Sequence, residues 1–446
     1  MSPRAPPRAA AARTAASVRA PEAEDDAFLL ERLQRGAFAY ITRYSNPLNG
    51  LVADTSRAGA PCSIAVVGFA LTCYIVAVER GWLSRTAAAQ RVLVTLRFFS
   101  ASSQREDPQA TGYKGFYYHF LDMTSGERVW RCELSFIDST LLIAGVLAVG
   151  LYFDRPQEAE IRDTAEALYR RVDWRWAQNN TPTLAQGWLP EVGFLHYGWE
   201  GYNEALILYI LALGSPTHSL GRSCFETWTL TYQWERLLGQ DVLYSGPLFT
   251  HLFPHAWIDF RGIRDGFMRT NRSDYFENTC RSVALQREYC ERNPRQVVGY
   301  ARDIWGISAG DGPTGEGARE YATDRRYFGY MARGIPFGPD DGTLCPWAML
   351  ATVPFTPQAA LAGTRRLLSS FPQVCREDRF ASGFNPSVNP ESGGWVSEGW
   401  YGLDQGLLVI MIENARSGLI WSLLRESGAV RRGLKRGGFS GGWLTR

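Results

Sequence analysis

Several helix-length stretches of this chain are apolar on nearly every side, and this constrains the fold most. Ser63–Val78 (SIAVVGFALTCYIVAV), Leu134–Gly150, Ala205–Leu213 and Asp404–Ile412 (DQGLLVIMI) offer little polar face to water. A helix that is apolar all round must be enclosed by other protein. Amphipathic segments run between them: Asp25–Tyr44, Leu83–Phe99, Gln157–Arg171, Cys224–Leu238, Asp274–Arg292 and Pro357–Leu368. Trp257–Met268 and Leu344–Val353 continue the alternation less regularly, and a short LIWSLL run follows the last apolar helix. Buried helices alternating with half-exposed ones predict an all-α chain, an (α/α)6 barrel with an inner ring of six helices inside an outer ring. The competing solenoid would show a repeat of about 34–47 residues with a fixed motif, and none is present.

The predicted organisation is an Ala/Arg/Pro-rich disordered tail over residues 1–24, a single domain over 25–430 and a frayed Gly/Arg-rich end over 431–446. Strands are expected only as short hairpins in the long loops. The tail has no apolar core of the kind a secretory signal needs. No run reaches the roughly 18 apolar residues of a membrane span. A net charge of +2 implies no nucleic-acid or membrane field, and the chain is expected to be monomeric. The eight cysteines form no CxxC, and several sit inside apolar runs, so they read as reduced, buried small hydrophobes.

The chemistry-bearing residues gather where the apolar helices begin. In such a barrel the inner helices run parallel and their N-terminal ends share one mouth. Glu133 and Asp138 open the Leu134 helix, while Glu200, Tyr202 and Glu204 open the Ala205 helix. His251, His255, Trp257, Asp259 and Arg261 are expected to open the fourth. Asp340 and Asp341 precede the fifth, and Trp395, Trp400, Asp404 and Gln405 precede the sixth. The five histidines lie in or beside these blocks.

Each of these groups also has a structural reading. Asp138 can complete a capping box with Ser135, acids in a first turn suit the helix dipole, and Asp259 can pair with Arg261. Asp340 and Asp341 sit in a turn. His251 and His255 have helix-face spacing but no HExxH, and Pro254 lies between them, so no metal is expected. No nucleophile elbow, P-loop or dinucleotide fingerprint is present, and no cofactor is expected. A wet mouth lined by acids and aromatics suits glycoside hydrolysis, which needs two carboxyl groups across a scissile bond and rings to hold the sugars.

The blocks SIAVVGFALTCYIVAVERGW, TGYKGFYYHFLDM, ELSFIDSTLLIAG, GYNEALILYILALGSPTH, HAWIDFRGIRD, DIWGISAGDGP, GPDDGT and GLDQGLLVIMIENARSGLIW occur in one order between Leu29 and about Leu424. They resemble the glucoamylase-like domain of bacterial β-1,2-glucan-active proteins, glycoside hydrolase family 144 in particular. The resemblance implies an (α/α)6 barrel and endo-acting hydrolysis of β-1,2-glucan, or a related exo release of sophorose, with inversion at the anomeric centre. A related domain in cyclic β-1,2-glucan synthases performs transglycosylation. By position, the resemblance implies Glu204 and Glu133 as the catalytic carboxylates. The apolar run behind Glu204 suits a general acid and leaves Glu133 as base, although the two roles could be exchanged. Asp138 would orient Glu133 or bind a sugar. Trp257, Asp259, Arg261, Trp400, Asp404 and Gln405 would line subsites, and Glu200, Tyr202 and His255 complete the candidate substrate contacts. The family generally acts in the periplasm or outside the cell, whereas no export signal is visible here. A non-catalytic glycan-binding barrel, a transglycosylase and a hydrolase of another linkage are the competing readings.

Overall fold

A computed structural model describes residues 25–314 and 326–445; the tail predicted over 1–24 lies outside the described residues. The chain is mostly helical. Its helices are α1 (Asp26–Tyr44), α2 (Ile64–Glu79), α3 (Arg85–Ala101), α4 (Phe136–Tyr152), α5 (Ala159–Arg171), α6 (Trp174–Gln178), α7 (Ala205–Gly214) and α8 (Arg222–Thr229). They continue with α9 (Phe249–Trp257), α10 (Gly266–Thr270), α11 (Tyr275–Arg292), α12 (Pro346–Ala351), α13 (Pro357–Ser370), α14 (Gly402–Arg416), α15 (Leu419–Arg425) and α16 (Gly428–Arg436).

The apolar helices pack on one another, as their composition requires. Helix α2 lies between α4 and α14, α7 lies between α4 and α9, and α14 also meets α9 and α12. Every residue of α7 is buried. The amphipathic helices lie against these: α1 on α14, α5 on α4, α11 on α9 and α13 on α12. Helices α2 and α4 approach unusually closely because glycines face each other. A Cβ on Gly68 would fall 2.1 Å from the Leu141 carbonyl, and one on Gly145 would fall 2.1 Å from the Gly68 carbonyl.

The helix ends separate into two groups. At the C-terminal ends, Arg80 after α2 grips Glu413 of α14 with two bonds of 2.7 and 2.6 Å. Asn414 of α14 donates to the Ala256 carbonyl of α9 at 3.1 Å. Helices α2, α9 and α14 therefore run the same way. Helix α15 seals this end, its Trp421 indole donating to the His255 carbonyl at 2.6 Å. The N-terminal ends are overlaid by short strands, β1 (Cys62–Ser63), β2 (Gly112–Tyr113), β3 (Phe116–Tyr118), β4 (Phe120–Leu121), β5 (Leu134–Ser135), β6 (Gly187–Leu189) and β7 (Gly193–Phe194). They form a sheet of order β2-β3-β5-β6-β7 and a separate β1-β4 pair.

Three expectations are corrected. The helix expected over Trp257–Met268 is instead Phe249–Trp257. Pro254 is accommodated inside it, since proline's fixed φ is helical and costs one backbone bond, and the helix ends three residues later. The helix expected over Cys224–Leu238 stops at Thr229, and Trp234–Leu237 pairs with Gln240–Leu243 as a hairpin. The C-terminal end expected to fray begins inside α16, which packs on α7 and buries Leu434, with Phe439 and Leu444 buried beyond it. Its Gly/Arg-rich composition conceals an apolar stripe. The cysteines are free, with Cys62, Cys73, Cys224, Cys290 and Cys345 buried. No single helix among the described residues is long and apolar enough to cross a membrane.

The α2–α4 contact leaves no room for a side chain. Gly145→Val is expected to destabilise the protein by about 1–3 kcal/mol or more, read as a lower thermal midpoint. An unchanged midpoint would contradict the close approach.

Candidate active site

The strand pairing over the N-terminal ends brings the first catalytic candidates together. Strand β3 runs antiparallel to β5, with Tyr118 opposite Leu134. One step further, the His119 backbone N–H donates to the Glu133 carbonyl at 3.0 Å. Their side chains meet as well: His119 Nδ1 is 2.9 Å from Glu133 Oε1. His119 Nε2 lies 3.6 Å from Asp138 Oδ2. Strand β6 covers β5 on the other side, where a Cβ on Gly187 would press within 3.1 Å of Glu133 Cγ. Asp138 stands in the first turn of α4. Ser135 caps that helix by accepting from the Asp138 N–H at 3.2 Å, and its hydroxyl lies 2.5 Å from Asp138 Oδ2. Ser135 thus caps the helix as expected, and the same Asp138 carboxylate faces His119. The ligand atoms of His119, Glu133 and Asp138 fall within 4.8 Å of one another. A metal binding there would have to replace the imidazole proton that faces Glu133.

The two glutamates are held in opposite states. Burial pushes Glu204 up to about 7, and the Asp138 charge adds to this. Glu204 sits at the start of α7, and the buried Tyr202 ring beneath it packs on His251, Tyr232 and Tyr275. Burial would also raise Glu133, but the hydrogen bond and charge of His119, with Arg128 beyond, hold it below its ordinary 4.5. Burial opposes a charge on His119 too, yet Asp138, Glu133 and Asp54 raise it to about 9. At neutral pH the arrangement offers a carboxyl able to donate a proton and a carboxylate able to accept one.

A second acidic group adjoins the first. Asp54, raised to about 6 by burial, interacts with His119, Asp138 and Arg57. Asp404, in the first turn of α14, is buried, and its Oδ2 has no hydrogen-bond partner among the described residues. Burial raises it well above its ordinary value; a Ser382 hydrogen bond opposes this, while Asp54 and Asp311 add to it. Asp311 is held by Arg57 and by the Ser397 hydroxyl at 2.8 Å. The stacked rings of Tyr330 and Tyr401, 5.6 Å apart, border this group, with Arg57 beside Tyr401. At the other edge, exposed Trp130 packs on Phe120, which stacks on His119 at 3.9 Å. The sequence reading missed Asp54, Arg57 and Asp311 and gave His119 no role. The available signal was positional: Asp54 precedes apolar helix α2 as Glu133 and Glu204 precede theirs.

Several predicted residues lie elsewhere. His255, Trp257, Asp259 and Arg261 are at the C-terminal end of α9, away from the mouth. His255 is fully buried against the Tyr275 carbonyl and the Thr279 hydroxyl, and burial lowers it to about 3, so it is neutral. The Trp257 indole donates to Thr72 inside the core at 2.9 Å. Asp259 is wholly buried, bonded to Arg261 at 2.8 and 2.7 Å and to Arg425. Trp400 and Gln405 do lie near the mouth but are turned inward. The Trp400 ring lies under Arg379, and the Gln405 amide donates to the Phe380 carbonyl at 3.0 Å. Glu200 is exposed beside a separate recess of about 280 Å³ lined by His196 and Tyr197. Asp340 and Asp341 serve structure, Asp340 accepting from Tyr289 and Tyr300 and Asp341 from the buried Arg333. Asp259→Ala is expected to cost about 1–3 kcal/mol of stability, read by thermal unfolding, while leaving the chemistry of the mouth unchanged.

Comparison with known proteins agrees with this architecture. The chain is 27% identical to an exo β-1,2-glucooligosaccharide sophorohydrolase (non-reducing end) of Parabacteroides distasonis, over 92% of this chain and 58% of that protein. The chain therefore spans little more than half the length of this curated relative. The crystal structure of a putative glucoamylase from Bacteroides uniformis superimposes with a TM-score of 0.83 at 27% identity, covering 95% of this chain and 99% of the other. An endo-β-1,2-glucanase from Chitinophaga pinensis, solved with sophorotriose and glucose, shares the fold with a TM-score of 0.80 at 24% identity, covering 94% and 100%. The Glycoamylase family, described as putative glucoamylase, matches residues 196–428, just over half of the sequence, and the chain belongs to that family.

Proposed function

We propose that this chain is an inverting glycoside hydrolase acting on β-1,2-glucan, cutting within the polymer to release sophorose and short sophorooligosaccharides. The observation that carries the reading is the division of labour at the mouth: Glu204 held neutral by burial, and Glu133 held ionised beside His119. Glu204 donates its proton to the glycosidic oxygen as the bond to the anomeric carbon breaks. Water attacks that carbon from the opposite face and gives up its proton to Glu133, directly or through a substrate hydroxyl. Burial keeps the proton on Glu204, and the charge of Asp138 adds to this. The rings near the acidic groups, Trp130 against Phe120 and the Tyr330–Tyr401 pair, would serve as platforms for sugar rings, and more than one platform suits a polymer cut internally. The helix contacts support an (α/α)6 barrel with α2, α4, α7, α9, α12 and α14 as its inner ring, within one catalytic domain.

Glu204→Gln and Glu133→Gln are each expected to lower kcat by at least about a hundredfold with the fold intact. Unchanged turnover in both would overturn the assignment of these two carboxylates, and no turnover by the unmodified protein would leave a binding-only barrel. The profile of kcat/KM against pH is expected to be bell-shaped. Its alkaline limb falls near 7, as Glu204 loses its proton, and its acid limb lies below 4.5, as Glu133 gains one. A profile flat between pH 6 and 8 would remove Glu204 as the acid. The Parabacteroides relative is exo-acting by name, and early products separate the two modes. A ladder of oligosaccharides follows from internal cutting, sophorose alone from exo action, and products longer than the substrate from transglycosylation.

A further inference from the structure

His119 lies between Asp138 of α4 and Glu133, which immediately precedes β5, and the proposed acid–base pair does not itself use it. It lies one residue beyond β3, where the pairing with β5 fixes its backbone against Glu133. Its ring is held flat against Phe120, 3.9 Å away and tilted by 13°. In that orientation Nδ1 faces Glu133 at 2.9 Å and Nε2 faces Asp138 at 3.6 Å. A neutral imidazole can donate from one nitrogen only, so the other would present a lone pair to a carboxylate. An imidazolium donates from both. The remaining groups point the same way. Asp54, from the loop before β1, is a third acid within electrostatic reach of His119. Arg128, the cation acting on Glu133 from the neighbouring loop, is already drawn toward Glu191 at 2.7 Å. Cys132 is bonded to the Phe120 backbone and contributes no charge.

We propose that His119 is a positioning residue, an imidazolium that bridges Glu133 and Asp138, keeps Glu133 ionised and aims its carboxylate. This rests on the proposed role of Glu133 as the base. The bridge ties the two ends of the proton path together. The charge that stabilises the Glu133 carboxylate also compensates Asp138, whose own charge helps keep Glu204 protonated. His119 remains charged up to about 9, above the alkaline limb set by Glu204 at about 7, so its own titration lies outside the working range. Its influence appears instead at the acid limb, through Glu133.

The direct test is 15N NMR of the intact protein labelled in histidine. The chain has five histidines, and His119→Gln assigns the resonance. The expected result is an imidazolium with both nitrogens protonated at pH 7.5, whose midpoint drops by about one unit or more in Glu133→Gln. A neutral His119 ring at pH 7.5, or a signal broadened by added Mn2+, would overturn the bridge. This arm needs no substrate, so it stands apart from the failure of any glucan reading. The kinetic arm uses His119→Gln, which keeps an amide N–H donor without charge. Its acid limb of kcat/KM is expected to move up by about one pH unit or more, so that the loss is larger at pH 5 than at pH 6.5. A uniform loss across pH, with the limb unmoved, would reduce His119 to a packing role.

Discussion

Enclosing helices that have no polar face is the constraint on which the rest of this structure depends. Helices α2, α4, α7 and α14 have almost no side that water can wet, so they pack on each other and draw a coat of amphipathic helices around them. Gly68 and Gly145 let α2 and α4 come close enough for backbone to touch backbone. Once these helices point the same way, their polar approaches collect at one end. The loops that lead into apolar helices must carry the charged residues, because the helices themselves have no place for them.

The same burial generates the chemistry. A carboxyl at the edge of an apolar helix loses hydration, and its proton is then governed by its neighbours. Among the described residues no cation acts on Glu204, which stays protonated into the neutral range, while Glu133 has His119 and ionises. Asp54, Asp138 and Asp404 crowd the same space, and mutual repulsion helps hold protons on Asp54 and Asp404. Two carboxyl groups with different proton occupancy are what an acid–base cleavage requires, and here a difference in partners produces them.

The mostly helical character, the alternation and the acidic ends of α4 and α7 were legible because apolar periodicity and charge position are local properties of sequence. What failed was local information about direction. The HAWIDFRG block looks like an entrance to a helix, yet Phe249–Trp257 ends there, so His255, Trp257, Asp259 and Arg261 fall at the opposite end, where His255, Asp259 and Arg261 brace α15. A proline in the sixth position of a short helix hid that. Trp400 and Gln405 were placed at the right end but on the wrong face, since inward or outward orientation depends on strand Arg379–Phe380, which lies in a separate segment of the chain and packs on them in space. Asp54, Asp311 and the bridging of His119 arise from contacts across the chain that no spacing rule reports.

The central claim joins a substrate to a stereochemical course, and one measurement addresses both: proton NMR of the purified protein mixed with linear β-1,2-glucan, followed from the first minutes. The account predicts that new reducing ends appear first as the α-anomer and only later equilibrate, as inversion of a β-linkage by Glu204 and Glu133 requires. New ends that appear first as the β-anomer would contradict the direct attack of water, and a glucan left intact by a folded protein would contradict the substrate.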